Sequence, residues 1–303
     1  MKIVSVFKML LFNPIQFLER IISRVPWIVS DNIYVKLQYK ARLGYFPNLE
    51  NPVFFTEKLQ WLKLYDHNPL YTKIVDKVLV KDYIANLIGK EHIIPTLHVW
   101  DDPSQIDFSI LPNKFVLKCN HTGGGAVFIC KDKSSFDISS VSKKLSKQLL
   151  MNTFLKTREW PYKNIPRKVF CEQYMEDESG ELRDYKFYCF GGEPVMVLVA
   201  TNRFTDHNFT YVDLNFKPID IESAFGKTTN HKLVKPDNFT QMIKIARTLS
   251  RDFPHVRVDL YNIKGQIYFG ELTFYDSSGF DDMNSDLWNK KLGDLIKLPQ
   301  KRI

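Results

Sequence analysis

One segment near the carboxyl end, HVRVDLYNIKGQIYFGELTFY, constrains the fold more than any other part of the chain. Val256 to Ile263 and Gln266 to Tyr275 are rich in β-branched and aromatic residues, and the Lys264-Gly265 pair between them is a turn sequence. The segment therefore predicts a β-hairpin, with two strands joined by a short loop.

Asp259 and Glu271 lie on the two predicted arms, and the length of the loop decides whether they meet. A three-residue loop pairs Ile263 with Ile267 and places the two carboxylates opposite each other on one face, whereas a two-residue loop places them on opposite faces. Facing carboxylates repel unless a proton or a cation lies between them. Mg²⁺ takes one or two protein carboxylates and fills its other positions with water and phosphate oxygens. The pair thus suits a metal–phosphate site or, alternatively, a solvated hairpin with salt bridges.

The composition is that of a globular protein with anionic partners. The chain has 303 residues, of which 44% are hydrophobic and 25% charged, so it can form one large domain or two to three coupled ones. A formal net charge of +8 favours nucleotides, acidic glycans, nucleic acid or an anionic membrane, without choosing among them. The four cysteines lack zinc spacing and predict buried free thiols in a reducing compartment. They are Cys119, Cys130, Cys171 and Cys189.

The amino-terminal segment predicts a cytoplasmic protein. No apolar run approaches the roughly 20 residues needed to span a bilayer, and Met1 to Leu18 lacks the apolar core and cleavage site of a signal peptide. Residues 1–29 nevertheless alternate apolar clusters with basic residues. This pattern suits either a helix packed on the domain or a peripheral contact with the inner face of the membrane.

The order of the predicted elements indicates an α+β fold with three regions. Residues 1–92 have helical spacing, and the last predicted helix of this region, VDKVLVKDYIANLIG, ends at Gly89. Residues 93–167 contain a strand, a glycine loop, a strand and a helix. Residues 168–303 contain three further strands, a helix around Phe239 to Asp252, and the acid-bearing hairpin. Because the strands and helices do not alternate regularly, the pattern favours α+β layers over a doubly wound sheet.

A second group of residues begins at the end of the predicted strand KFVLK. Lys118 is the last residue of this strand, and Gly123, Gly124 and Gly125 follow a few residues later. Consecutive glycines let backbone N–H groups converge on an anion, and the nearby ammonium adds positive charge. The sequence matches neither the P-loop nor the dinucleotide glycine pattern, which disfavours both of those folds. We predict a phosphate-binding loop, with a flexible hairpin tip as the alternative.

Other charged residues could extend this site. Lys77, which we place in a helical segment, could be a second phosphate contact. Glu172 lies within a predicted strand, and Asp184 and Lys186 open the next one. Acids in such strands can accept hydrogen bonds from ribose hydroxyls or an adenine amino group, but each residue alone would equally suit a solvated surface.

In their order along the chain, these residues resemble the ATP-grasp superfamily. The chain is most similar to the TupA-like ATP-grasp proteins, which are named for teichuronopeptide biosynthesis and are common in bacterial surface-polysaccharide clusters. The runs that carry the resemblance are FTEKLQWLKLYDHNPLYTKIVDK, FVLKCNHTGGGAVFICKDKS, REWPYKN, DESGELRDYKFYCFGGEP, FPHVRVDLYNIKGQIYFGELTF and LGDLIKLP. The resemblance implies a helical amino-terminal region and two α+β subdomains that grip Mg²⁺-ATP between the glycine loop and the acid hairpin.

The resemblance also implies roles in binding the nucleotide. Lys77 and Lys118 would hold phosphates, and residues 123–125 would close over them. Glu172, with the strand that follows it, would contact adenine. Asp184 or Lys186 would lie near the ribose or the phosphates.

For the metal and the chemistry, the resemblance points to the hairpin. Asp259 and Glu271 match the metal-binding acids, and Arg257 matches the arginine that contacts the γ-phosphate and the acyl phosphate. Arg257 and Lys118 would be the catalytic residues. Thr273 stands where many members have asparagine and would be a third metal contact through its hydroxyl oxygen.

The activity implied by the resemblance is ATP-dependent ligation of a carboxylate to an amine, which forms an amide through an acyl phosphate. The acceptor would be a uronic acid of a surface polysaccharide or its precursor, and the nucleophile an amino acid or another amine, with no nucleic acid as partner. One alternative is an ATP-dependent sugar kinase. Others are a sugar-nucleotide glycosyltransferase, with the two hairpin acids on a metal-bound diphosphate, and a catalytically inactive nucleotide sensor.

Overall fold

The computed structural model describes residues 14–122, 127–177, 180, 182–201, 208–221, 227–228 and 233–303. The helices are α1 (Pro14–Ile22), α2 (Asp31–Leu43), α3 (Phe55–Tyr65), α4 (Pro69–Val75), α5 (Val80–Ile88), α6 (Ile138–Leu149), α7 (Thr153–Thr157), α8 (Phe239–Ser250) and α9 (Asp286–Leu295). The strands are β1 (Thr96–Trp100), β2 (Phe115–Cys119), β3 (Phe128–Cys130), β4 (Val169–Gln173), β5 (Asp184–Phe190), β6 (Glu193–Thr201), β7 (Asn208–Val212), β8 (Lys227–Thr228), β9 (His255–Ile263) and β10 (Gln266–Thr273).

The strands form two sheets, which confirms the α+β fold class. The smaller sheet has the order β1-β4-β2-β3 and the larger sheet the order β10-β9-β5-β6-β7-β8. All pairs are antiparallel except β7 and β8. The predicted helix from Phe239 to Asp252 is α8, which ends two residues earlier than the sequence indicates.

The smaller sheet buries one face and leaves the other for a site. Phe115 and Leu117 of β2 are fully buried and pack in one cluster with Leu145 of α6. Because side chains alternate along a strand, the intervening Val116 and Lys118 point to the opposite face. The larger sheet follows the same rule: Val256, Val258 and Leu260 pack in a core with α8, and the residues between them face away from that core.

Strand β4 differs from the sequence expectation in its partners. The sequence pattern placed the strand that contains Glu172 with the strands of residues 168–303, but Val169–Gln173 pairs with β1 and β2 in the smaller sheet. Strand β1, which the sequence did not predict, supplies one edge of this pairing. The division of the chain into three regions at residues 92 and 167 stays a prediction.

The prediction that Lys77 lies in a helix is wrong. Helix α4 ends at Val75, and residues 76–79 form a turn in which the Asp76 carboxylate accepts hydrogen bonds from the amides of Val78 (2.9 Å) and Leu79 (3.2 Å). The Lys77 amide donates to the Asn120 carbonyl at 3.1 Å. This short polar cap breaks the predicted helix and brings Lys77 next to the end of β2.

The hairpin has a two-residue loop, which by itself would place Asp259 and Glu271 on opposite faces of the sheet. The two acids nevertheless lie opposite each other on one face. Gln266 pairs with Ile263, so the loop is the two residues Lys264 and Gly265, both with positive φ (50° and 84°). A β-bulge between Phe269 and Glu271 then leaves Gly270 unpaired and shifts the register by one residue. Glu271 therefore lies opposite Asp259.

All four cysteines are buried and free, as their spacing predicts. Among the residues that the structure describes, no helix has the length and apolar character needed to cross a bilayer.

Candidate active site

A cleft lies between the two sheets, and charged residues predicted from the sequence line it. Lys118 and Glu172 come from the smaller sheet. The other charged members come from the turn before α5 and from the larger sheet; they are Lys77, Asp184, Lys186, Asp259 and Glu271. Gly123, Gly124 and Gly125, which we predicted to close over phosphates, lie outside the described residues.

Arg257 connects the acids of the hairpin. Its guanidinium binds Asp259 through two hydrogen bonds, from Nε at 2.7 Å and from Nη2 at 2.8 Å. Nη2 also donates to Glu271 Oε1 at 3.3 Å and to Thr273 Oγ1 at 3.2 Å. All four side chains therefore lie on one face of the sheet, because a single planar group contacts the other three.

Lys186 supplies a second cation to this face. It lies on β5 directly opposite Asp259, and its ammonium is 2.5 Å from Asp259 Oδ2 and 3.3 Å from Asp184 Oδ2. Burial alone would lower the pKa of Lys186, but the carboxylates of Asp184 and Asp259 outweigh it and raise the pKa. Lys186 therefore stays charged although it is buried.

The same contacts keep the two hairpin acids ionised. Burial opposes ionisation of Asp259, but Arg257 and Lys186 outweigh it and lower its pKa. For Glu271, desolvation in the cleft likewise opposes ionisation, and Lys77 is the largest influence that lowers the pKa. The Glu271 side chain is 39% exposed, whereas that of Asp259 is 2% exposed. The pair thus presents negative charge to the cleft, with Glu271 the more accessible of the two.

On the opposite wall, Glu172 is held between two lysines. Lys118 on the neighbouring strand forms one ion pair with it, and Lys81 of α5 forms another at 2.6 Å. Burial of Glu172 opposes ionisation, but Lys118 and Lys81 together lower its pKa. Glu172, for which we predicted a contact with adenine, therefore fixes the ammonium groups of Lys118 and Lys81 on this wall.

Lys77 lies between the two walls. Its ammonium donates to the Thr122 carbonyl at 2.8 Å, immediately before the glycine loop, and lies 3.8 Å from Glu271 Oε2. The turn at residues 76–79 makes this position available. The Lys77 ammonium therefore contacts groups from both walls of the cleft.

Apolar residues line another part of the cleft. Val116 and Phe170 come from the smaller sheet, on the strands that carry Lys118 and Glu172. Leu272 comes from β10. Tyr174 and Met175 follow the end of β4. A slot with apolar walls beside a group of cations suits a ligand with a flat ring and an anionic end.

A short left-handed turn carries a further partner of Arg257. Asp276 accepts hydrogen bonds from Arg257 Nη1 and from the Tyr188 hydroxyl. Ser277 and Ser278, which follow it, have φ of 48° and 55°, a conformation that costs about 1–2 kcal/mol for each residue with a side chain. The buried Lys63 of α3 offsets this cost by donating to the Ser278 carbonyl at 2.6 Å. The amino-terminal helices thus help to hold Arg257 in place.

Sequence reasoning missed three residues of this arrangement: Lys81, Tyr188 and Asp276. Lys81 is four residues from Lys77, and this spacing could have indicated a second lysine at the site. A buried arginine requires acceptors for its five N–H groups, so an unassigned acid close to the hairpin was another signal, and Asp276 fits it. No local signal in the sequence singles out Tyr188.

The donor set fits a magnesium ion that is shared with phosphate. Among the described residues, no group of three or more His, Cys, Asp or Glu side chains is arranged to hold a metal ion without further ligands. Mg²⁺ needs only one or two protein carboxylates when phosphate oxygens and water complete its octahedron. Asp259 and Glu271 are two such carboxylates on one face of the hairpin, and the Thr273 hydroxyl lies 3.2 Å from Glu271 Oε1.

Comparison with protein families gives one match. The model of the TupA-like ATP-grasp family matches residues 57–297, which is most of the chain. No curated protein matches the chain.

Several solved structures are similar to the chain at low identity. They include the D-alanine–D-alanine ligase from Bacillus anthracis, with 17% identity over 66% of this chain and 57% of that one, and a TM-score of 0.37. The D-alanine–D-alanine ligase from Helicobacter pylori has 15% identity over 80% and 69%, with a TM-score of 0.40. The L-amino acid ligase from Bacillus licheniformis has 10% identity over 75% and 51%, with a TM-score of 0.45. The chain thus spans about half to two thirds of the length of these proteins.

Proposed function

Because this chain belongs to the TupA-like ATP-grasp family, we propose that it is an ATP-dependent carboxylate–amine ligase that forms an amide through an acyl phosphate. The observation that carries the proposal is the cleft itself. Lysines of one wall face two ionised carboxylates of the other, and Arg257 lies on the same face as those carboxylates. This charge pattern suits a polyphosphate and a divalent cation bound together.

The reaction requires activation of the carboxylate, because its leaving group is poor and an amine merely forms a salt with it. Transfer of a phosphoryl group from ATP gives an acyl phosphate, which an amine can attack. Catalysis of such a transfer depends mainly on positioning and on charge stabilisation. Lys118 and Arg257 would supply positive charge at the transferred group, and Lys77 would hold the phosphates.

The hairpin would hold Mg²⁺. Asp259 and Glu271 would be its carboxylate ligands, with the Thr273 hydroxyl as a third contact. When bound, the ion would neutralise charge on the phosphate oxygens. The chain's own contribution is to keep both acids ionised, which Arg257, Lys186 and Lys77 do by lowering their pKa values.

The nucleotide would span the cleft. Residues 123–125 would close over the phosphates, and Glu172 with the strand that follows would contact adenine beside Val116 and Phe170. Asp184 or Lys186 would lie near the ribose or the phosphates. Support for this orientation comes from the apolar slot and from the order of the residues along the chain.

The substrates are proposed from the family. The acceptor would be a uronic acid of a surface polysaccharide or its precursor, and the nucleophile an amino acid or another amine. We place the enzyme in the cytoplasm, where ATP is supplied.

Mass spectrometry of reaction products tests the proposal. Purified full-length protein would be incubated with Mg²⁺-ATP, glucuronic or galacturonic acid and a mixture of amino acids. We expect an amide product and ADP release that depends on both substrates, and we expect Asp259→Asn to abolish both. Asp294→Asn, which removes an exposed carboxylate on α9, is the matched control.

Other outcomes would identify a different activity. ADP and a phosphorylated sugar formed without any amine would indicate a sugar kinase. A thermal shift with UDP-sugars but none with Mg²⁺-ATP would indicate a glycosyltransferase. Tight binding of ATP without turnover would indicate a nucleotide sensor.

A further inference from the structure

A second, smaller recess opens on the same face of the larger sheet. Lys186 and Arg257 line one part of it, and Lys186 also lines the cleft, so the two spaces adjoin at this residue. Tyr188 and Tyr211 form an aromatic wall, with ring centroids 6.1 Å apart. Asp281 lines another part of the recess.

Each charged side chain that lines the recess has an ion-pair partner among the described residues, except Asp281. Lys186 is paired with Asp184 and Asp259, and Arg257 is paired with Asp259, Glu271 and Asp276. Asp281 forms no salt bridge with any described residue, although only 3% of its surface is exposed. Its Oδ1 accepts one hydrogen bond, from the Met283 amide at 3.0 Å.

A buried carboxylate without a cation is costly, because charged groups inside proteins are normally paired or bound to a ligand. Burial and the neighbouring carboxylate of Asp276 raise the pKa of Asp281 to about 6. At neutral pH the group is therefore mostly ionised, and no cation of the described residues forms an ion pair with it. It lies in a recess whose wall contains two aromatic rings, which also attract cations.

We propose that this recess binds the ammonium group of the amine substrate, with Asp281 as its counter-ion. The inference rests on the proposed ligase function and assigns the subsite of its second substrate, a primary amine such as an amino acid. The position is suitable because the recess adjoins the cleft at Lys186 and contains Arg257, which would lie beside the acyl phosphate.

The recess also places Asp281 where it can accept one of the two protons that the ammonium group loses in amide formation. The nitrogen lone pair attacks the carbonyl carbon of the acyl phosphate, and the C–N bond forms. The bond from that carbon to the phosphate oxygen breaks, and its electron pair leaves with inorganic phosphate. The two protons that the ammonium group must lose pass to Asp281 and to the departing phosphate or water, with Asp281 acting as a general base.

Ligand-observed NMR on the full-length protein tests the proposal without requiring turnover. The probe is a mixture of the twenty amino acids and ethanolamine, in the presence of Mg²⁺-ADP. We expect at least one primary amine to give a saturation-transfer signal with the wild-type protein. Asp281→Asn should weaken its binding by about tenfold or more, because the counter-ion is lost.

Two variants separate this effect from damage to the fold. Asparagine keeps an acceptor for the Met283 amide, and Asp281→Glu keeps the charge and should retain binding. The matched control is Asp282→Asn, which removes the adjacent carboxylate that does not line the recess and should bind like wild type. Either a wild-type protein that binds no amine or an Asp281→Asn protein that binds amines as tightly as wild type would overturn the inference.

These results can be distinguished from failure of the ligase proposal. If amine binding depends on Asp281 but no amide forms, the subsite stands and the proposed reaction is wrong. If an amide forms and Asp281→Asn leaves the KM for the amine unchanged, the reaction stands and the subsite is wrong.

Discussion

At the scale of single residues, Arg257 determines how the site is organised. Burial alone would lower its pKa, but Asp259 and Asp276 outweigh burial and raise the pKa well above its ordinary value. The planar guanidinium donates hydrogen bonds to three carboxylates and one hydroxyl, and it uses N–H groups on all three of its nitrogens to do so. An ammonium group cannot reproduce this geometry.

Arg257→Lys should therefore impair the reaction while keeping the charge. We expect kcat to fall by roughly 10²–10³-fold, the cost of removing one positioned donor from a transition state. Steady-state kinetics of ADP release measures the effect. The control is Arg247→Lys, which changes an exposed arginine paired with Glu193 at 2.9 Å and should leave kcat unchanged. Equal rates for the two variants would contradict a catalytic role for Arg257.

A second residue-scale prediction concerns pH and Asp281. Its pKa is raised from 3.8 to about 6 in the folded protein, so the folded state holds a proton that the unfolded state loses as pH rises from about 4 to 6. Stability therefore falls over this range and stays lower above it. Asp281→Asn cannot ionise and should be more stable than wild type by about 3 kcal/mol at pH 8, with no such advantage at pH 3.5. Urea unfolding at both pH values measures the difference; an advantage that is the same at both would contradict the prediction.

At the scale of elements, the bulge in the β9–β10 hairpin brings the two acids together. The two-residue turn alone would put Asp259 and Glu271 on opposite faces, and the extra residue Gly270 reverses that outcome. A Cβ at Gly270 would lie 3.0 Å from the Asp259 carbonyl oxygen and 3.2 Å from the Tyr261 ring. Glycine is therefore the residue that fits this bulge without displacing β9.

Gly270→Ala should weaken Mg²⁺-ATP binding, because the added methyl group pushes β10 away from β9 and separates the acids. Isothermal titration calorimetry measures the affinity. Gly265→Ala is the control: it has positive φ of 84° and no atom within 4 Å of an added Cβ, so it should cost about 1–2 kcal/mol of stability and leave the affinity unchanged. If Gly270→Ala bound Mg²⁺-ATP like wild type, the bulge would not be needed for the site.

At the scale of the whole molecule, the site exists only because two sheets face each other. Lys118 and Glu172 lie on β2 and β4, whereas Asp259 and Glu271 lie on β9 and β10. Lys77, in the turn between two helices, contacts both walls. A ligand that binds in this cleft would join the two sheets and stabilise the folded protein.

Mg²⁺-ATP at about 100 times its Kd should stabilise the protein by about 2.7 kcal/mol and raise Tm by about 4 °C. The increase should be lost in Lys118→Met and also in Asp259→Asn, because the ligand needs both walls. Differential scanning fluorimetry, with each variant compared with its own ligand-free sample, measures it. Lys144→Met, on the exposed side of α6, should retain the shift. Loss of the shift in only one of the two site variants would show that one sheet binds the nucleotide alone.

Much of the site could be predicted because its residues carry short-range signals. The hairpin, its two acids and Lys118 were identified from strand patterns and turn chemistry. Lys77 was identified as a candidate but placed in a helix, because the sequence pattern did not reveal that Asp76 caps a turn there. Lys81 and Asp276 were missed, since their importance depends on contacts with Glu172 and Arg257 that are far apart in sequence.

The sequence by itself determined the fold class and the strands that carry charge, because alternating apolar residues and turn sequences act over a few neighbouring positions. It also determined the family, through the resemblance of long sequence runs that the family model matches over residues 57–297. Only the tertiary structure decided which charges meet. The bulge at Gly270 placed the two acids on one face of the sheet, although the register of their turn alone would put them on opposite faces. The pairing of β4 with β1 and β2 placed Glu172 across the cleft from these acids. Both outcomes depend on packing and hydrogen bonds between distant segments, which no local pattern specifies.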